Sequence, residues 1–314
     1  MSIRGRFVWE ELTTTDLASA AKFYAAVAGL KTAPAPFDAS YTTFSGAGGP
    51  MGGLFPLPDE ARAMGAPPNW LSYIGTADVD ETVRHAQSIG GKVIKAAADI
   101  ANGGRFAILQ DPQGAVFAVY ASLQPYQPPA SVPMGGMSWH ELATTDYQAA
   151  FSFYSQLFGW HVLSDMDMGP GMGTYRLFGA EGSTEQMGGM YTKPAEPPRS
   201  SAWLPYIKVA NVQGATAKAK ALGATIFHGP AQVPGGGWIT MGADLQGAAF
   251  AIHATAAAAK PARKAKPKKK AKAKAKARPT KKTRTARRTA RKTSKAKASP
   301  KRGGKRRAKA GSKK

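Results

Sequence analysis

Hydrophobic positions near the start of the chain switch from a strand-like to a helix-like spacing. Residues 7–12 have the composition of a strand, and apolar residues then recur at helical spacing from Leu17 to Val27. Asp16 precedes this segment and suits an N-cap, while Gly29 follows it and suits a C-terminal stop. The pattern therefore predicts a strand, a helix and then two further strands at residues 41–44 and 51–55.

A second round of the same pattern follows. It predicts a strand at 71–76, a helix at about 80–88 that stops at Gly90 and Gly91, and strands at 92–95, 105–110 and 115–120. Asp111-Pro112-Gln113-Gly114 has turn composition and joins the last two strands. We therefore predict an α+β fold in which each domain contains two βαβββ modules.

The pattern then repeats along the chain with an offset of about 130 residues. The segment from Trp9 to Asp16 returns from Trp139 to Asp146, and Trp70 returns as Trp203. We predict two homologous domains at residues 1–123 and 137–254. Residues 124–136 between them are Pro-rich and are predicted to form a linker.

The paired βαβββ order and three repeated motifs resemble the vicinal oxygen chelate superfamily of glyoxalases, bleomycin-resistance proteins and extradiol dioxygenases. The motifs are W-x-E-L-x-T-T-D or its close variant, F-Y-x(4)-G, and D-P-Q-G-A or its counterpart. The resemblance covers most of residues 7–254, once per domain, and is greatest to tandem-domain glyoxalase-like bacterial proteins. It implies that the strands curl around a cavity, which in the metal enzymes of the family holds a divalent ion.

The family's metal ligands are usually His and Glu side chains on the first and last strands of the modules. The resemblance places these positions, in the two domains respectively, at Trp9, Leu71 and Ala118, and at Trp139, Leu204 and Ala251. Trp, Leu and Ala cannot bind zinc, nickel or iron through their side chains. We therefore expect no metal site and no cofactor, unless the alignment of the strands is displaced.

Strand alternation predicts which polar residues share the faces of these positions. The predicted ligand-binding residues are Trp9, Glu11, Tyr73, Tyr120, Trp139 and Tyr206. In the second domain, Glu141 and His253 are the candidate catalytic residues, as an acid–base pair if they lie within hydrogen-bonding reach. Alternatively, the two glutamates are structural and hydrogen-bond the backbone or a tyrosine. The two tryptophans are then core residues, and His253 is a core histidine whose ring nitrogens are hydrogen-bonded.

Composition excludes several classes of function. The chain has no Cys, which excludes disulfides, Cys-ligated zinc, iron–sulfur clusters and thiol catalysis. The start of the chain has no apolar segment typical of a secretory signal, and no run of 18 apolar residues occurs. We therefore expect a cytoplasmic protein without a membrane span.

Charge is concentrated at the C-terminal end. Residues 256–314 contain 28 of the 43 Lys and Arg and no Asp or Glu, which leaves residues 1–255 with a net charge of −4. With no aromatic or large aliphatic residue, residues 255–314 are predicted to be disordered and resemble linker-histone tails in composition. Such a polycation binds DNA by counterion release without reading its sequence, which would make the protein nucleoid-associated; RNA, polyphosphate and acidic membranes are alternative targets.

Two functional hypotheses follow. In the first, the two domains form a metal-independent, glyoxalase-like protein that binds a small molecule or catalyses an unidentified reaction, and the tail binds DNA. In the second, the protein is a nucleoid-associated DNA-binding protein and the two domains are an inert scaffold. A third alternative, a metal-dependent lyase or dioxygenase, requires a displaced alignment; the sequence leaves the ligand, any reaction and the oligomeric state open.

Overall fold

The structure is a computed structural model that describes residues 3–35, 38–63, 65–101, 103–127, 129–195 and 200–256. The predicted basic tail falls almost wholly on residues 257–314, which lie outside the described residues. Within the described residues, no helix is both long and apolar enough to cross a membrane.

The first domain contains eight strands and three helices. They are β1 Phe7–Thr14, α1 Leu17–Ala28, β2 Lys31–Ala35, β3 Asp38–Gly46, β4 Gly49–Pro56, α2 Asp59–Ala63, β5 Asn69–Gly75, α3 Val79–Ser88, β6 Lys92–Ile100, β7 Gly104–Gln110 and β8 Val116–Ser122.

Within residues 129–195 and 200–256, the second domain repeats this order without a counterpart of α2. Its elements are β9 Met137–Thr144, α4 Tyr147–Phe158, β10 His161–Asp167, β11 Thr174–Gly179, β12 Gly188–Thr192, β13 Ala202–Lys208, α5 Val212–Ala221, β14 Thr225–Gln232, β15 Trp238–Ala243 and β16 Ala249–Ala254.

Each domain forms one eight-stranded sheet with the same topology. The first sheet has the order β2-β3-β4-β1-β5-β8-β7-β6, and the second has the order β10-β11-β12-β9-β13-β16-β15-β14. The first strands of the two modules, β1 and β5, lie side by side and antiparallel at the centre. The fold is therefore two tandem domains of paired βαβββ modules, as the sequence predicted.

The first helix of each domain begins and ends with the same local interactions. The side chains of Asp16 and Asp146 accept hydrogen bonds from backbone N–H groups in the first turns of α1 and α4. Gly29 and Gly159 end these helices with φ values of 71° and 73°, in the left-handed region that glycine adopts without strain. These caps fix the point at which the chain turns back towards the sheet.

Both hydrophobic cores are shared between the two domains. One core joins α1 and its neighbouring strands to α5, β13 and β16, and includes Phe23, Tyr24 and Phe250. The other joins α3, β7 and β8 to α4 and its strands, and includes Phe117 and Phe153. Accordingly, α1 packs on α5 and α3 packs on α4. The opposite face of each sheet is left for the candidate site.

The sequence missed two elements and shortened others. It missed β2, an exposed edge strand containing Pro34, and the single-turn helix α2. It ended β6 at residue 95, whereas the strand continues to Ile100. The predicted domain boundaries stay predictions, although β8 ends at Ser122 and β9 begins at Met137, on either side of the predicted linker.

Candidate functional site

The positions that correspond to the family's metal ligands lie together on the inner face of each sheet, away from the shared cores. In the first domain Tyr73 pairs with Trp9 on one side and Ala118 on the other, and Glu11 pairs with Leu71. In the second domain Tyr206 likewise pairs with Trp139 and Ala251, and Leu204 pairs with Glu141. Strand alternation had predicted this grouping.

In the first domain two tyrosines hold the carboxylate of Glu11. The Tyr73 hydroxyl donates a hydrogen bond to Oε2 at 2.6 Å, and the Tyr41 hydroxyl donates one to Oε1 at 2.7 Å. The indole Nε1 of Trp9 donates to the Tyr41 oxygen at 2.8 Å. The four side chains form one continuous network, in which both carboxylate oxygens are occupied.

The second domain repeats this network around Glu141, which is only 8% exposed. The Tyr175 hydroxyl donates to Oε2 of Glu141 at 2.9 Å, and Trp139 Nε1 donates to the Tyr175 oxygen at 2.9 Å. Tyr206 also hydrogen-bonds Glu141, and its hydroxyl lies 3.4 Å from the sulfur of Met241. A hydroxyl has one proton, so Tyr206 is shared between these two acceptors.

A glycine beside each carboxylate makes room for the ring that holds it. Gly53 pairs with Glu11, and Gly189 pairs with Glu141. A Cβ atom at Gly53 would overlap the ring and hydroxyl of Tyr41, and one at Gly189 would overlap the ring of Tyr175. The two tyrosines can therefore reach the glutamates only across a position without a side chain.

Burial sets the protonation behaviour of both carboxyl groups. Loss of solvation raises the pKa of Glu11 above its ordinary value, and the hydrogen bonds from Tyr73 and Tyr41 oppose this effect. The pKa of Glu141 is raised for the same reason, against the hydrogen bonds from Tyr175 and Tyr206. Each site thus holds a carboxyl group that accepts a proton more readily than an exposed glutamate.

Tyr120 and His253 are on the inner faces but outside these networks. Tyr120 packs against the apolar cluster of Leu71, Tyr73 and Ala118, while its hydroxyl donates to the Gly103 carbonyl oxygen at 2.7 Å. His253 Nδ1 lies 2.9 Å from the hydroxyl oxygen of Ser138. Burial lowers the pKa of His253, and the charge of Lys208 lowers it further. This hydrogen bond joins His253 to Ser138, and the pairing of His253 with Glu141 as acid and base stays a prediction.

The two sites differ in their electrostatic surroundings. The ammonium group of Lys95 stabilises the Glu11 carboxylate, and its Nζ lies 4.9 Å from the centre of the Phe106 ring. In the second domain the position equivalent to Lys95 is His228, which pairs with Met241 as Lys95 pairs with Ile108. The Tyr206 hydroxyl contacts the uncharged thioether of Met241. The first site therefore has a cation near its carboxylate, and a thioether lies beside the second.

The residues do not fit the metal of the family's enzymes. Leu71 and Ala118 stand where imidazole or carboxylate donors would be needed, and Glu11 is already bonded to two phenols. Over the described ranges, no group of three or more His, Asp or Glu is placed to hold a metal ion.

Sequence reasoning missed Tyr41 and Tyr175. Both lie on strands that it predicted incompletely, β3 and β11, and each faces its glutamate across the intervening strand. The available signal was a tyrosine upstream of a repeated Met-Gly-Gly, since Met51-Gly52-Gly53 returns at 187–189. The glycines of the motif leave free space on the strand, and the upstream tyrosine is the bulky side chain that can fill it.

Comparisons with known proteins agree with this geometry. The profile of the Glyoxalase/Bleomycin resistance protein/Dioxygenase superfamily matches residues 6–119 and 136–252. CFP32 of Mycobacterium tuberculosis, which carries a provisional name as a glyoxylase, is 31% identical over 247 residues, or 78% of this chain and 92% of that protein. The anthracycline biosynthesis protein DauV of Streptomyces sp. strain C5 is 30% identical over 168 residues, or 49% of this chain and 61% of that protein.

Solved structures share the fold at low sequence identity. The Mn(II)-bound glyoxalase of Novosphingobium aromaticivorans superimposes with a TM-score of 0.55 at 17% identity, covering 81% of this chain and 82% of that one. The 2,3-dioxygenase LapB of Pseudomonas sp. KL28 gives 0.57 at 12% identity, covering 81% and 93%. The two matched segments coincide with the two sheets, so the chain belongs to the Glyoxalase/Bleomycin resistance protein/Dioxygenase superfamily.

Proposed function

We propose that the protein is a metal-independent, glyoxalase-like protein that binds small molecules at the inner faces of its two sheets. One observation carries the proposal: a glutamate held by tyrosines lies where the family's enzymes gather metal ligands. Each oxygen of such a carboxylate has two lone pairs, so beside its tyrosine it can accept a hydrogen bond from a ligand hydroxyl or amide. Trp9 and Tyr120 in one site, and Trp139 in the other, supply flat apolar contact surface.

The same carboxyl groups support a proton-transfer reaction. Because burial raises the pKa of Glu141, this residue accepts a proton at a higher pH than an exposed glutamate does. In this proposal Glu141 takes a proton from the bound ligand and returns it, and Tyr175 and Tyr206 hold the carboxyl group in place. His253, the other candidate catalytic residue, supplies a second polar contact at the edge of the site.

Metal binding is the first test. Elemental analysis of the purified full-length chain is expected to find zinc, nickel, iron and manganese well below one atom per chain. Titration with Mn²⁺, followed by electron paramagnetic resonance, is expected to leave the signal of the free ion unchanged. One tightly bound ion per domain would overturn the proposal and favour the metal-dependent lyase or dioxygenase.

Ligand retention is the second test. Native mass spectrometry of the full-length chain is expected to show a small-molecule adduct that is lost in the Glu11→Gln/Glu141→Gln double variant. The matched control is Gly214→Ala on α5, where a Cβ atom meets Asn211 at an ordinary 3.5 Å. An adduct retained by the double variant would contradict ligand binding through these carboxylates.

We also propose that residues 256–314 bind DNA through their charge and associate the protein with the nucleoid. Their 28 basic residues contrast with a net charge of −4 in the rest of the chain. If roughly ten phosphates are neutralised, the logarithm of affinity falls with the logarithm of salt concentration at a slope of about −9. Without the tail, the net negative charge repels phosphate.

A salt titration on two unrelated duplexes tests this second proposal, with the full chain compared with a chain ending at residue 256. The full chain is expected to bind both duplexes alike, and the shortened chain neither. Binding by the shortened chain would contradict the proposal and move the interaction to the folded domains. If DNA binding is confirmed and neither glutamate affects ligand retention, the alternative of a nucleoid protein with an inert scaffold is favoured.

A further inference from the structure

A cavity of about 450 Å³ lies between the two domains, apart from both glutamate sites. Its walls come from the first residues of β1 and β9, the turn between β3 and β4, the segment before β12, and the linker. Of the residues in the Glu11 network only Trp9 also lines it. Its volume falls within the roughly 300–1,000 Å³ typical of small-molecule sites.

A buried glutamate–histidine pair forms part of its wall. His140 Nε2 lies 2.7 Å from Oε1 of Glu10, and the Ser72 hydroxyl donates to Oε2 of Glu10 at 2.7 Å. Glu10 and His140 are only 2% and 6% exposed. The Phe7 ring stacks on the imidazole, with ring centres 3.6 Å apart and planes within 4°. These contacts fix the orientation of the His140 ring.

The pair leaves one imidazole nitrogen for a ligand. In the tautomer that carries its proton on Nε2, His140 donates to Oε1 of Glu10, whose other oxygen accepts from Ser72. Nδ1 of that tautomer is an acceptor, and no described residue hydrogen-bonds it. Because His140 lines the cavity, this acceptor selects a molecule with a hydroxyl or N–H group.

The remaining walls suit a flat apolar molecule. Phe7, Trp9 and Tyr126 provide aromatic surface, and Met51, Met137 and Met187 provide thioethers. Methionine side chains are unbranched and polarisable, so they adjust to aromatic rings of different outline. At the rim, Arg6 and Glu185 form an ion pair with 3.6 Å between Nη1 and Oε2, which balances their charges.

We propose that this interdomain cavity is a second ligand site, which takes a hydroxylated aromatic molecule whose hydroxyl group donates a hydrogen bond to His140. Glu10 is hydrogen-bonded to the imidazole and to Ser72, so both are positioning residues that orient the His140 ring. The aromatic and thioether walls bind the ring system. This site shares Trp9 with the Glu11 site, but the hydrogen bond to His140 does not depend on the proposed function of Glu11 and Glu141.

Isothermal titration calorimetry of the full-length chain tests the proposal with two probes, 2-naphthol and 2-methoxynaphthalene. They have the same ring system, but only the first can donate a hydrogen bond. The intact protein is expected to bind 2-naphthol about tenfold more tightly, the effect of one hydrogen bond. In His140→Phe, whose ring keeps the shape of the imidazole and has no hydrogen-bond acceptor, the two probes are expected to bind with about equal affinity.

A second variant keeps the test decisive if His140→Phe does not fold. Gln186 is exposed and lines the cavity, so Gln186→Trp is expected to fill it and abolish binding of both probes. Gln148→Trp, at an exposed position on α4 outside the cavity, is the matched control and is expected to bind 2-naphthol as the intact protein does. Binding of 2-naphthol by Gln186→Trp, equal binding of both probes by the intact protein, or no binding of either would overturn the proposal.

Discussion

The Glu141 carboxyl group is buried in its site, with 8% of the residue exposed. Because burial raises its pKa in the folded state, the carboxyl group contributes stability that is fully present below its ordinary pKa of 4.5. This contribution is lost as the pH rises through the folded-state pKa, since the charged form is poorly solvated there. Each tenfold change in the ionisation constant corresponds to about 1.4 kcal/mol.

Glu141→Gln is therefore expected to gain stability relative to the intact protein as the pH rises from 4 to 8. Glutamine keeps the size of the side chain and has no charge to bury. Urea unfolding of both proteins at several pH values measures the difference in the free energy of unfolding. A difference that stays constant over this range would show that Glu141 has an ordinary pKa.

Gly189 gives a second prediction at the level of single residues. Gly189→Ala would place a Cβ atom inside the Tyr175 ring, so the ring must move away from Glu141. We expect a loss of about 1–3 kcal/mol in the free energy of unfolding, as for other overpacked positions. Gly214→Ala, measured in parallel by urea unfolding, is expected to be neutral or stabilising. Equal stability of the two variants would contradict the close approach of Tyr175.

At the residue scale, the sequence predicted which side chains share a face of the sheet, because alternation along a single strand determines this. Glu11 and Tyr73 lie on the same face because each stands two positions from a neighbouring inner residue, and the structure joins them by a hydrogen bond. The contribution of Tyr41 depends on the register between β3 and β4. The pairing of Glu10 with His140 depends on contact between domains, and no local pattern encodes either relation.

At the scale of elements, an aspartate of each domain accepts a hydrogen bond from a helix of the other domain. The Tyr154 hydroxyl on α4 donates to Oδ2 of Asp111 at 3.0 Å, in the turn before β8, and Trp203 Nε1 donates to the Tyr154 oxygen at 2.9 Å. Tyr24 on α1 makes the same bond to Asp244 in the second domain, at 3.1 Å. The tyrosine of the repeated Phe-Tyr motif is thus an interdomain residue.

Tyr154→Phe is expected to lower the free energy of unfolding by about 1–3 kcal/mol, because Asp111 loses a buried hydrogen-bond donor. Urea unfolding at neutral pH measures this change. Tyr147→Phe on the same helix is the control and is expected to change stability by less than about 0.5 kcal/mol, because the contact between its hydroxyl and Nε2 of Gln148 is long, at 3.5 Å. Similar effects at both positions would contradict the importance of the interdomain bond.

Elements with strong local signals were predicted well. Asp16 and Gly29 bracket α1 because their side-chain and backbone properties act within one turn. In contrast, β2 is exposed at the sheet edge, so its residues show little apolar alternation, and Pro34 argues against a strand. Its existence follows from pairing with β3, a contact that the segment itself does not encode.

At the scale of the whole molecule, neither domain has a complete core of its own. Phe23 and Phe250 lie in one core with ring centres 5.3 Å apart, and Phe117 and Phe153 lie in the other at 6.2 Å. In each pair, one ring comes from each domain. The sequence repeat identified two units, but it did not show that each hydrophobic face is covered by the other unit.

We expect residues 1–123 and residues 137–256, produced separately, to lack a cooperative unfolding transition, because each would expose half of both cores to water. Mixing the two fragments is expected to restore the transition and the near-ultraviolet circular dichroism of the intact chain. The measurement is thermal unfolding followed by circular dichroism. A cooperative transition in either fragment alone would show that the shared cores are dispensable.

The contact between Glu10 and His140 bears on how the duplicated chain evolved. The two residues are 130 positions apart and correspond to one another in the repeat. In a symmetric homodimer of single domains, a position that meets its own copy presents the same amino acid from both sides, so glutamate would face glutamate. An acid opposite a base at this position requires two separately encoded copies. Fusion of the repeats thus permits an asymmetric contact, and with it an interdomain cavity with two unlike halves, that no homodimeric ancestor could specify.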